Sequence, residues 1–293
     1  MTDPLFASDD PSPALRAMLG AGQFHEAVNY YSAREPEVRR RPEASLLAAT
    51  AATRLGELAM AEGLAGRALE DFSARADTDG RMRAVNLLGA IAFEHGHLVD
   101  AESAFAQALE LARQLADSQM AARASNNLAS VAHLRGKTES ALSLYRQALT
   151  EYQRMGDRRG TAETCHNLGL TFRQMAAWAD AGDATAEAIR HAEQVGEPTL
   201  MALAALGRAE YQIESGQWML ASREIDRAAH LARQAGDPIS AAEAGRLRAI
   251  VALRSGDAAA ALEEAEAAAS TAAEHGSLLL EGECAAAAMR ALV

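Results

Sequence analysis

Lysine is almost absent from this chain. Its 293 residues contain one lysine, Lys137, and 28 lysine and arginine residues together against 40 acidic ones, so the formal net charge is −12. Nucleic acids and anionic membranes both select for clustered basic side chains, because these neutralise phosphate and release its counterions. We therefore expect neither a nucleic acid nor a membrane surface among the partners.

Cysteine, aromatic residues and long apolar runs are scarce as well. The two cysteines, Cys165 and Cys284, are too few for a disulfide framework. No apolar run approaches the roughly 20 residues of a membrane span, and residues 1–4 lack the character of a secretory signal. These absences favour a reduced, cytoplasmic setting. Aromatics make up 4% of a chain that is 49% hydrophobic, so alanine and leucine must fill the core, which favours closely packed helices.

The motifs of common catalytic and cofactor sites are missing too. The sequence has no phosphate-binding glycine loop, no GxSxG and no HExxH. His95 and His97 flank a turn without further ligands, whereas a zinc site needs three or four. Cys165 and His166 are adjacent and face different sides of a helix, whereas a nucleophile pair needs side-chain contact. We predict no enzyme, no metal and no cofactor, with Cys165 as a small buried hydrophobic residue.

The most prominent positive feature is a repeated pair of small residues. A glycine followed five residues later by an alanine recurs with a period of 40. The series is Gly56/Ala61, Gly96/Ala101, Gly136/Ala141, Ala176/Ala181, Gly216/Ala221 and Gly256/Ala261, preceded by Gly22/Ala27 at a shorter interval. A fixed period of about 20 to 50 residues is typical of stacked supersecondary units. The sequence therefore predicts a scaffold built from successive repeats.

Residues 80–117 show how one repeat is built. Apolar residues at helical spacing predict a helix over residues 82–95, and Gly96 follows where a glycine ends a helix. A second apolar stripe begins at Ala101 and predicts a second helix that closes at Ala116-Asp117. Gly156-Asp157 and similar pairs stand at the same phase in later repeats. Neither helix can bury its stripe alone, so the repeats must stack.

Small residues in the first helix, such as Gly89, predict where it approaches the second helix. Some repeats depart from the pattern. Ala176 replaces a turn glycine, which predicts a tighter or more helical turn. Arg208 and Arg248 stand at the phase of leucines in earlier repeats, which predicts a helix phase shifted by one residue. The core leucines of those repeats would then be Leu206 and Leu247.

The pattern resembles the tetratricopeptide repeat. The resemblance rests on Leu-Leu-Gly at 87–89, Asn-Leu-Ala at 127–129, Asn-Leu-Gly at 167–169 and the phased turn residues that follow them. The 40-residue spacing resembles the longer subclass found in kinesin light chains, Gram-positive peptide-sensing regulators and bacterial maltose-activator-like regulators. The resemblance implies a right-handed superhelix, with a concave face lined mainly by first helices, that binds peptides or proteins.

We therefore predict an all-α fold, a right-handed α-α superhelical solenoid of about seven helix-turn-helix repeats plus a C-terminal helix. Residues 1–11 are expected to be a disordered lead-in, and residues 12–293 a single solenoid domain. The predicted repeats are 12–38, 40–77, 80–117, 120–157, 160–197, 200–237 and 240–275, with a terminal helix at 277–293.

Positions 13, 10, 6 and 3 residues before each turn residue share one face of the first helix, because residues three and four apart are neighbours. In the third to fifth repeats this face carries arginine, asparagine and histidine. Asparagine both donates and accepts hydrogen bonds, and arginine binds carboxylates bidentately. We predict a groove for a peptide or protein formed by Arg83, Asn86, Phe93, Arg123, Asn126, Asn127, Ser130, His133, His166, Asn167, Leu170 and Arg173.

Several alternatives stay open at this point. Asn127 and Asn167 either contact a ligand or bond the neighbouring helix and fix the repeat angle. Trp178 and Trp218 share one phase and either pack at the corner between helices or anchor a partner. The sixth and seventh repeats place more apolar residues on the same face, which predicts a grip on hydrophobic side chains or on another chain.

The last predicted helix is unusually apolar, whereas the end of a solenoid usually carries a polar outer face. It either packs on the seventh repeat, pairs with a second copy as a homo-oligomer, or is followed by further chain. The leading function is a non-enzymatic scaffold that binds a peptide or protein segment. The alternative is a sensory or regulatory module in which a ligand changes the shape of the superhelix.

Overall fold

The computed structural model describes residues 10–34 and 41–292. In these two stretches the protein is all-α, with fifteen helices and no strand. Three sequence predictions fall partly or wholly elsewhere: the lead-in at residues 1–9, the end of the first repeat at residues 35–38, and the last residue of the terminal helix lie outside the described residues. Asp10, at the end of the predicted lead-in, accepts the amide hydrogen of Ser12.

The helices belong to two compact units, Met1–Ala124 and Ser125–Val293. The first unit contains α1 (Ser12–Gly20), α2 (Phe24–Ser32), α3 (Pro42–Arg54), α4 (Leu58–Ala74), α5 (Thr78–Glu94) and α6 (Leu98–Gln114). The boundary falls within α7 (Ser118–Leu134). The second unit continues with α8 (Thr138–Met155), α9 (Arg158–Gln174), α10 (Trp178–Val195), α11 (Pro198–Glu214), α12 (Trp218–Ala235), α13 (Pro238–Arg254), α14 (Ala258–Glu274) and α15 (Leu278–Ala291).

Consecutive helices pack as antiparallel pairs, an odd-numbered first helix followed by an even-numbered second helix. Seven such pairs precede α15, which stands where the first helix of another pair would stand. The prediction of an all-α fold of about seven helix pairs plus a C-terminal helix is confirmed. The assignment of residues 12–293 to one domain stays a prediction.

Most turns depend on a glycine because the chain there adopts a left-handed backbone. Gly96 and Gly136 have φ of 72° and 70°, a region in which a Cβ is strained. Gly156 ends α8 in the same conformation, and the carboxylate of Asp157 then accepts the amide hydrogen of Gly160 and caps α9. The predicted Gly-Asp junction between repeats is confirmed here.

Ala176 adopts the backbone conformation of the glycines that it replaces. Its φ is 55°, close to the 55° and 54° of Ala76 and Ala116 at two junctions between pairs. The turn from Gln174 to Trp178 has the same length as the equivalent turns in other pairs. The expectation of a tighter or more helical turn is therefore wrong, because packing of the two helices imposes the left-handed conformation even on alanine.

Glycines inside helices mark close approaches between neighbours. A Cβ on Gly89 of α5 would lie 2.8 Å from the Phe105 ring on α6, at the position that the small-residue pattern predicts. A Cβ on Gly80 would lie 2.1 Å from the Phe72 ring on α4. Small residues therefore position α5 against both second helices that flank it.

Arg208 and Arg248 keep the register of the leucines that they replace. The first helices α9, α11 and α13 begin at residues 158, 198 and 238, so the spacing of 40 is unbroken. Arg208 pairs with Glu224 at 3.2 Å, and Arg248 pairs with Glu264 at 3.1 Å, each on the second helix of its own pair. The predicted shift of helix phase is wrong, because an acidic partner accommodates arginine at this position. Two leucines are buried as expected, Leu206 and Leu247.

Alanine supplies much of both cores, as the composition predicts. In the first unit Leu15, Leu64 and Ile91 pack among buried alanines of α3. In the second unit Ile225 and Leu247 pack among buried alanines of α11 and α12. Small side chains let neighbouring helix axes approach closely, so a stack of helices can form with few aromatic residues.

The last helix packs by one face only. Leu280, Cys284 and Ala287 of α15 are buried, and the helix contacts α13 and α14. Met289 and Leu292 lie on its exposed side. The apolar side of α15 therefore partly covers the seventh pair, and part of its apolar surface remains accessible.

Candidate functional site

Successive first helices contact one another within each unit. In the first unit α3 contacts α1 and α5, and in the second unit α9, α11, α13 and α15 follow one another in contact. Each series therefore presents one continuous surface, the first-helix face of that unit. The side chains that the sequence assigns to a binding groove lie on α5, α7 and α9, and the structure shows their surroundings.

In the first unit, Arg83 connects two first helices. Its Nη1 lies 2.8 Å from Oε2 of Glu43 on α3. Its Nε lies 2.9 Å from Oδ2 of Asp79, which is on α5 like Arg83 itself. Asn86 and Phe93 are half-buried. Arg123 is exposed and forms no ion pair with the described residues. Of the two arginines predicted here, one holds neighbouring repeats together and the other is open to a ligand.

Polar contacts also join α7 to α9. Oδ1 of Asn126 accepts a hydrogen bond from the Thr164 hydroxyl at 3.1 Å and lies 3.4 Å from Nδ2 of Asn167. Nδ1 of His133 lies 3.1 Å from the Thr171 hydroxyl, and burial lowers the pKa of His133. Asn167 thus makes the contact between helices that the structural alternative describes.

Three further predicted residues have other surroundings. Ser130 shares a hydrogen bond of 3.0 Å with the Tyr145 hydroxyl on α8, inside its own helix pair. Burial raises the pKa of Tyr145 to about 12. Asn127 and Leu170 are half-buried on α7 and α9. Ser130 therefore contributes to packing within a pair.

His166 is buried against a glycine of the next first helix. A Cβ on Gly207 of α11 would lie 2.6 Å from Nδ1 of His166, so only glycine leaves room for the ring. Burial, with a smaller effect of Arg173, lowers the pKa of His166 to about 4. The imidazole is neutral at neutral pH and packs between α9 and α11.

An ion-pair network crosses the first-helix face of the second unit. Arg173 of α9 pairs with Glu210 of α11 at 2.6 Å and donates to the Gly207 carbonyl at 3.1 Å. Arg246 of α13 lies 3.2 Å from Glu210 and 3.4 Å from Glu283 of α15. Within α13, Nε of Arg246 donates to Glu243 at 2.8 Å. We call these residues the diagonal network: Arg173, Glu210, Glu243, Arg246 and Glu283.

The network runs obliquely because each member stands about one helical turn earlier than its partner in the preceding repeat. Arg173 stands 3 residues before its turn residue, Glu210 stands 6 before, and Arg246 stands 10 before. A comparison of equivalent positions between repeats does not bring these charges together. The periodic pattern therefore gives no signal for the network, although all its residues are visible in the sequence.

Two guanidinium groups share three carboxylates in the diagonal network. Arg173 and Arg246 are only 11% and 14% exposed, so little water screens the charges. Burial opposes ionisation of Glu210, but Arg173 and Arg246 hold its pKa below the usual value. Burial, together with the neighbouring carboxylates Glu210 and Glu283, raises the pKa of Glu243 to about 7. One carboxyl group of the network therefore takes up a proton near neutral pH.

The predicted hydrophobic grip of the sixth repeat is wrong. Leu206 and Ile213 are buried in the core, so they are not available to a ligand. The polar residues of the same face, Glu210 and Arg246, occupy its centre instead. In the seventh repeat Ile250 and Leu253 are half-buried on α13 and border a groove.

The structure also describes Cys165, His95 and His97, for which the sequence analysis predicted no catalytic or metal-binding role. Cys165 is buried, as predicted, and burial raises the pKa of its thiol to about 12. The rings of His95 and His97 stack with centroids 5.6 Å apart. No group of three or more His, Cys, Asp or Glu side chains suited to a metal occurs among residues 10–34 and 41–292. In the same stretches, none of the helices combines the length and apolar character of a membrane span.

Trp178 and Trp218 are 43% and 40% exposed at the starts of α10 and α12. Met219 and Leu220 follow Trp218 and are exposed too. The tryptophans are therefore only partly covered, and the second unit carries exposed apolar side chains at the start of α12.

Comparison with known proteins shows which sequence model and which solved structures this chain resembles. Residues 120–194 match the sequence model of the tetratricopeptide repeat. No curated protein matches the chain significantly. A solved Rap protein complexed with Competence and Sporulation Factor has a TM-score of 0.68 at 15% identity, over 93% of this chain and 84% of its own.

Two further solved structures share the fold. The Rap conjugation gene regulator of the plasmid pLS20, in complex with the Phr* peptide, has a TM-score of 0.64 at 16% identity, over 86% of this chain and 73% of its own. BtubC (BKLC) from P. vanneervenii has a TM-score of 0.55 at 20% identity, over 75% of this chain and 92% of its own. The family model therefore identifies tetratricopeptide repeats over residues 120–194, and these solved structures share the fold of the chain.

Proposed function

We propose that this protein binds a peptide or a protein segment on its first-helix faces and acts as a scaffold without catalysis. The observation that carries the proposal is the continuous surface that successive first helices present within each unit. One Rap protein of the same fold was solved with the Phr* peptide and another with Competence and Sporulation Factor, which supports the class of ligand. Two buried free thiols suit the reduced cytoplasm in which we place the protein.

The contacts within each face prepare it for binding. Arg83, His133, His166 and Arg173 connect neighbouring first helices, so the surface is ordered before a ligand arrives. A preformed surface avoids part of the entropy lost on association. In this proposal these residues support the groove, and direct contacts come from exposed or half-buried side chains. The direct contacts are Phe93, Arg123 and Leu170.

Peptide selection tests the proposal. A random peptide display library is selected against the folded chain, and a photoreactive form of each selected peptide is cross-linked and mapped by mass spectrometry. We expect adducts on odd-numbered helices, and weaker binding after Arg123→Gln. Arg146→Gln on α8 is the matched control, because Arg146 is also exposed but lies on a second helix. Adducts confined to even-numbered helices, or no selected ligand, would overturn the proposal.

A regulatory role is the second candidate, and the diagonal network favours it. Arg173, Glu210, Arg246 and Glu283 join four successive first helices, so a ligand that displaces one pair alters contacts at several interfaces. Solution scattering with and without a selected peptide tests this role. A change in radius of gyration at saturation supports it, and an unchanged profile contradicts it.

A further inference from the structure

Between α13 and α15 the first-helix face of the second unit contains a groove of about 640 Å³. Its lining residues are Ala249, Ile250, Leu253, Arg254, Ala287 and Arg290. The four apolar residues are buried or half-buried, and the two arginines are exposed. This volume lies within the range of roughly 300–1,000 Å³ that is usual for ligand pockets.

The register of the repeats places this groove on the binding face. Ile250 and Leu253 stand 6 and 3 residues before the turn residue Gly256, positions that the sequence assigns to the groove. Arg290 of α15 follows Ile250 by one 40-residue period and takes the same phase. The diagonal network reaches α15 at Glu283, nearer the start of that helix. The groove therefore lies beyond the network, towards the C-terminal ends of α13 and α15.

The two arginines differ from those of the diagonal network. Arg173 and Arg246 are neutralised by carboxylates of this chain. Arg254 and Arg290 form no ion pair or hydrogen bond with residues 10–34 or 41–292. An apolar surface beside two unpaired guanidinium groups is complementary to apolar side chains flanked by carboxylates.

We propose that this groove binds an acidic, leucine-rich segment of a partner protein, with an apolar side chain against Ile250 and Leu253 and Asp or Glu side chains paired with Arg254 and Arg290. Two separate arginines match two carboxylates along one segment better than a single terminal carboxylate. This inference rests on the proposed function and names the chemistry of its ligand.

Fluorescence anisotropy with short labelled peptides tests the inference. The probe alternates leucine and glutamate and has both termini blocked. We expect it to bind the wild-type chain and to lose about tenfold in affinity or more in the Arg254→Gln/Arg290→Gln variant, because two charge-assisted pairs are lost. The matched control is Arg223→Gln/Arg233→Gln, two exposed arginines of α12 without ion pairs among the described residues, which leaves affinity unchanged.

Three peptide arms separate the alternatives. Replacement of glutamate by glutamine is expected to abolish most binding, and replacement of leucine by serine is expected to do the same. A leucine peptide without acidic side chains but with a free C-terminus is expected to bind weakly. If that peptide bound the wild-type chain as tightly as the leucine-glutamate probe does, the arginines would be assigned to a terminal carboxylate and the inference would be overturned.

Two further outcomes would also overturn it. If library-selected peptides bind odd-numbered helices and their affinity is unchanged by Arg254→Gln/Arg290→Gln, the inference fails while the proposed function stands. If the chain dimerises in sedimentation equilibrium and the same substitutions abolish the dimer, a second copy occupies the groove. Circular dichroism confirms that each variant is folded. A chain that binds no peptide at all contradicts the proposed function itself.

Discussion

Ala176 shows how strongly neighbouring helices control single residues. Its left-handed φ of 55° costs roughly 1–2 kcal/mol for a residue with a Cβ. The turn nevertheless keeps the length of its glycine equivalents. Local preference yields here to the packing of α9 on α10, and strain remains at the turn.

Ala176→Gly is expected to stabilise the protein. Relief of the left-handed strain exceeds the entropy that glycine adds to the unfolded chain, so the free energy of unfolding rises by about 0.5–1 kcal/mol. Urea unfolding followed by circular dichroism measures the change. The matched substitution Ala177→Gly, one residue later, where φ is negative, is expected to destabilise the protein. Equal effects of both substitutions would contradict the strain.

Arg208 is expected to depend on Glu224 for its place beside the core. Arg208→Leu should destabilise the protein by about 1–2 kcal/mol, because among the described residues Glu224 then keeps only Arg227, at 3.7 Å. The double variant Arg208→Leu/Glu224→Ala should be nearly neutral. A double-mutant cycle by urea unfolding measures the coupling. The Arg248–Glu264 pair is more exposed and provides the comparison, with a smaller expected coupling. Additive effects at Arg208 and Glu224 would contradict the prediction.

Some features of single residues could be predicted from the sequence and others could not. Turn glycines and buried alanines recur at equivalent positions, so the 40-residue period alone predicts them. The partners of Arg173 and Arg246 were not predictable in this way, because each contact joins different positions of successive repeats. His166 was assigned to a groove because its type suits ligands, whereas Gly207 of the next repeat decides that it packs inside.

Helix pairs fix their spacing through a few glycines. Gly80 near the start of α5 meets Phe72 of α4, and Gly160 near the start of α9 meets Tyr152 of α8 in the same way. An aromatic ring thus lies over the backbone at these two junctions between pairs. The helices themselves were predictable from apolar spacing, but these ring contacts depend on geometry between elements.

Gly80→Ala is expected to destabilise the first unit by about 1–3 kcal/mol, because the added methyl group overlaps the Phe72 ring. Gly66→Ala on α4 is the matched control, since nothing lies within 4 Å of its Cβ position. That control should stabilise the helix by about 0.5–1 kcal/mol. Thermal unfolding by circular dichroism measures both. A stabilising Gly80→Ala would contradict the packing at this junction.

The stability of the whole chain should depend on pH through two buried groups with opposite effects. Glu243 has a pKa of about 7 against 4.5 for an ordinary glutamate, so its contribution is full below pH 4.5 and is lost as pH rises through 7. His166 has a pKa of about 4 against 6.5, so the folded state binds fewer protons and stability rises between these values. The two effects partly cancel.

Glu243→Gln is expected to uncover the histidine effect. Between pH 4.5 and 7, the free energy of unfolding of this variant should increase with pH relative to wild type, because the opposing contribution of Glu243 is gone. Urea unfolding by circular dichroism at a series of pH values measures the difference. Glu266→Gln, an exposed site on α14, serves as the control and should leave the difference flat. A flat difference for Glu243→Gln would contradict the raised pKa.

The two tryptophans have a consequence for spectroscopy of this protein. Trp178 and Trp218 are the only tryptophans of the chain, and both belong to the second unit. Intrinsic tryptophan emission therefore reports on Ser125–Val293 alone, while far-ultraviolet circular dichroism reports on helices of both units. Chemical denaturation recorded by the two signals side by side assigns each unfolding event to its unit without any label.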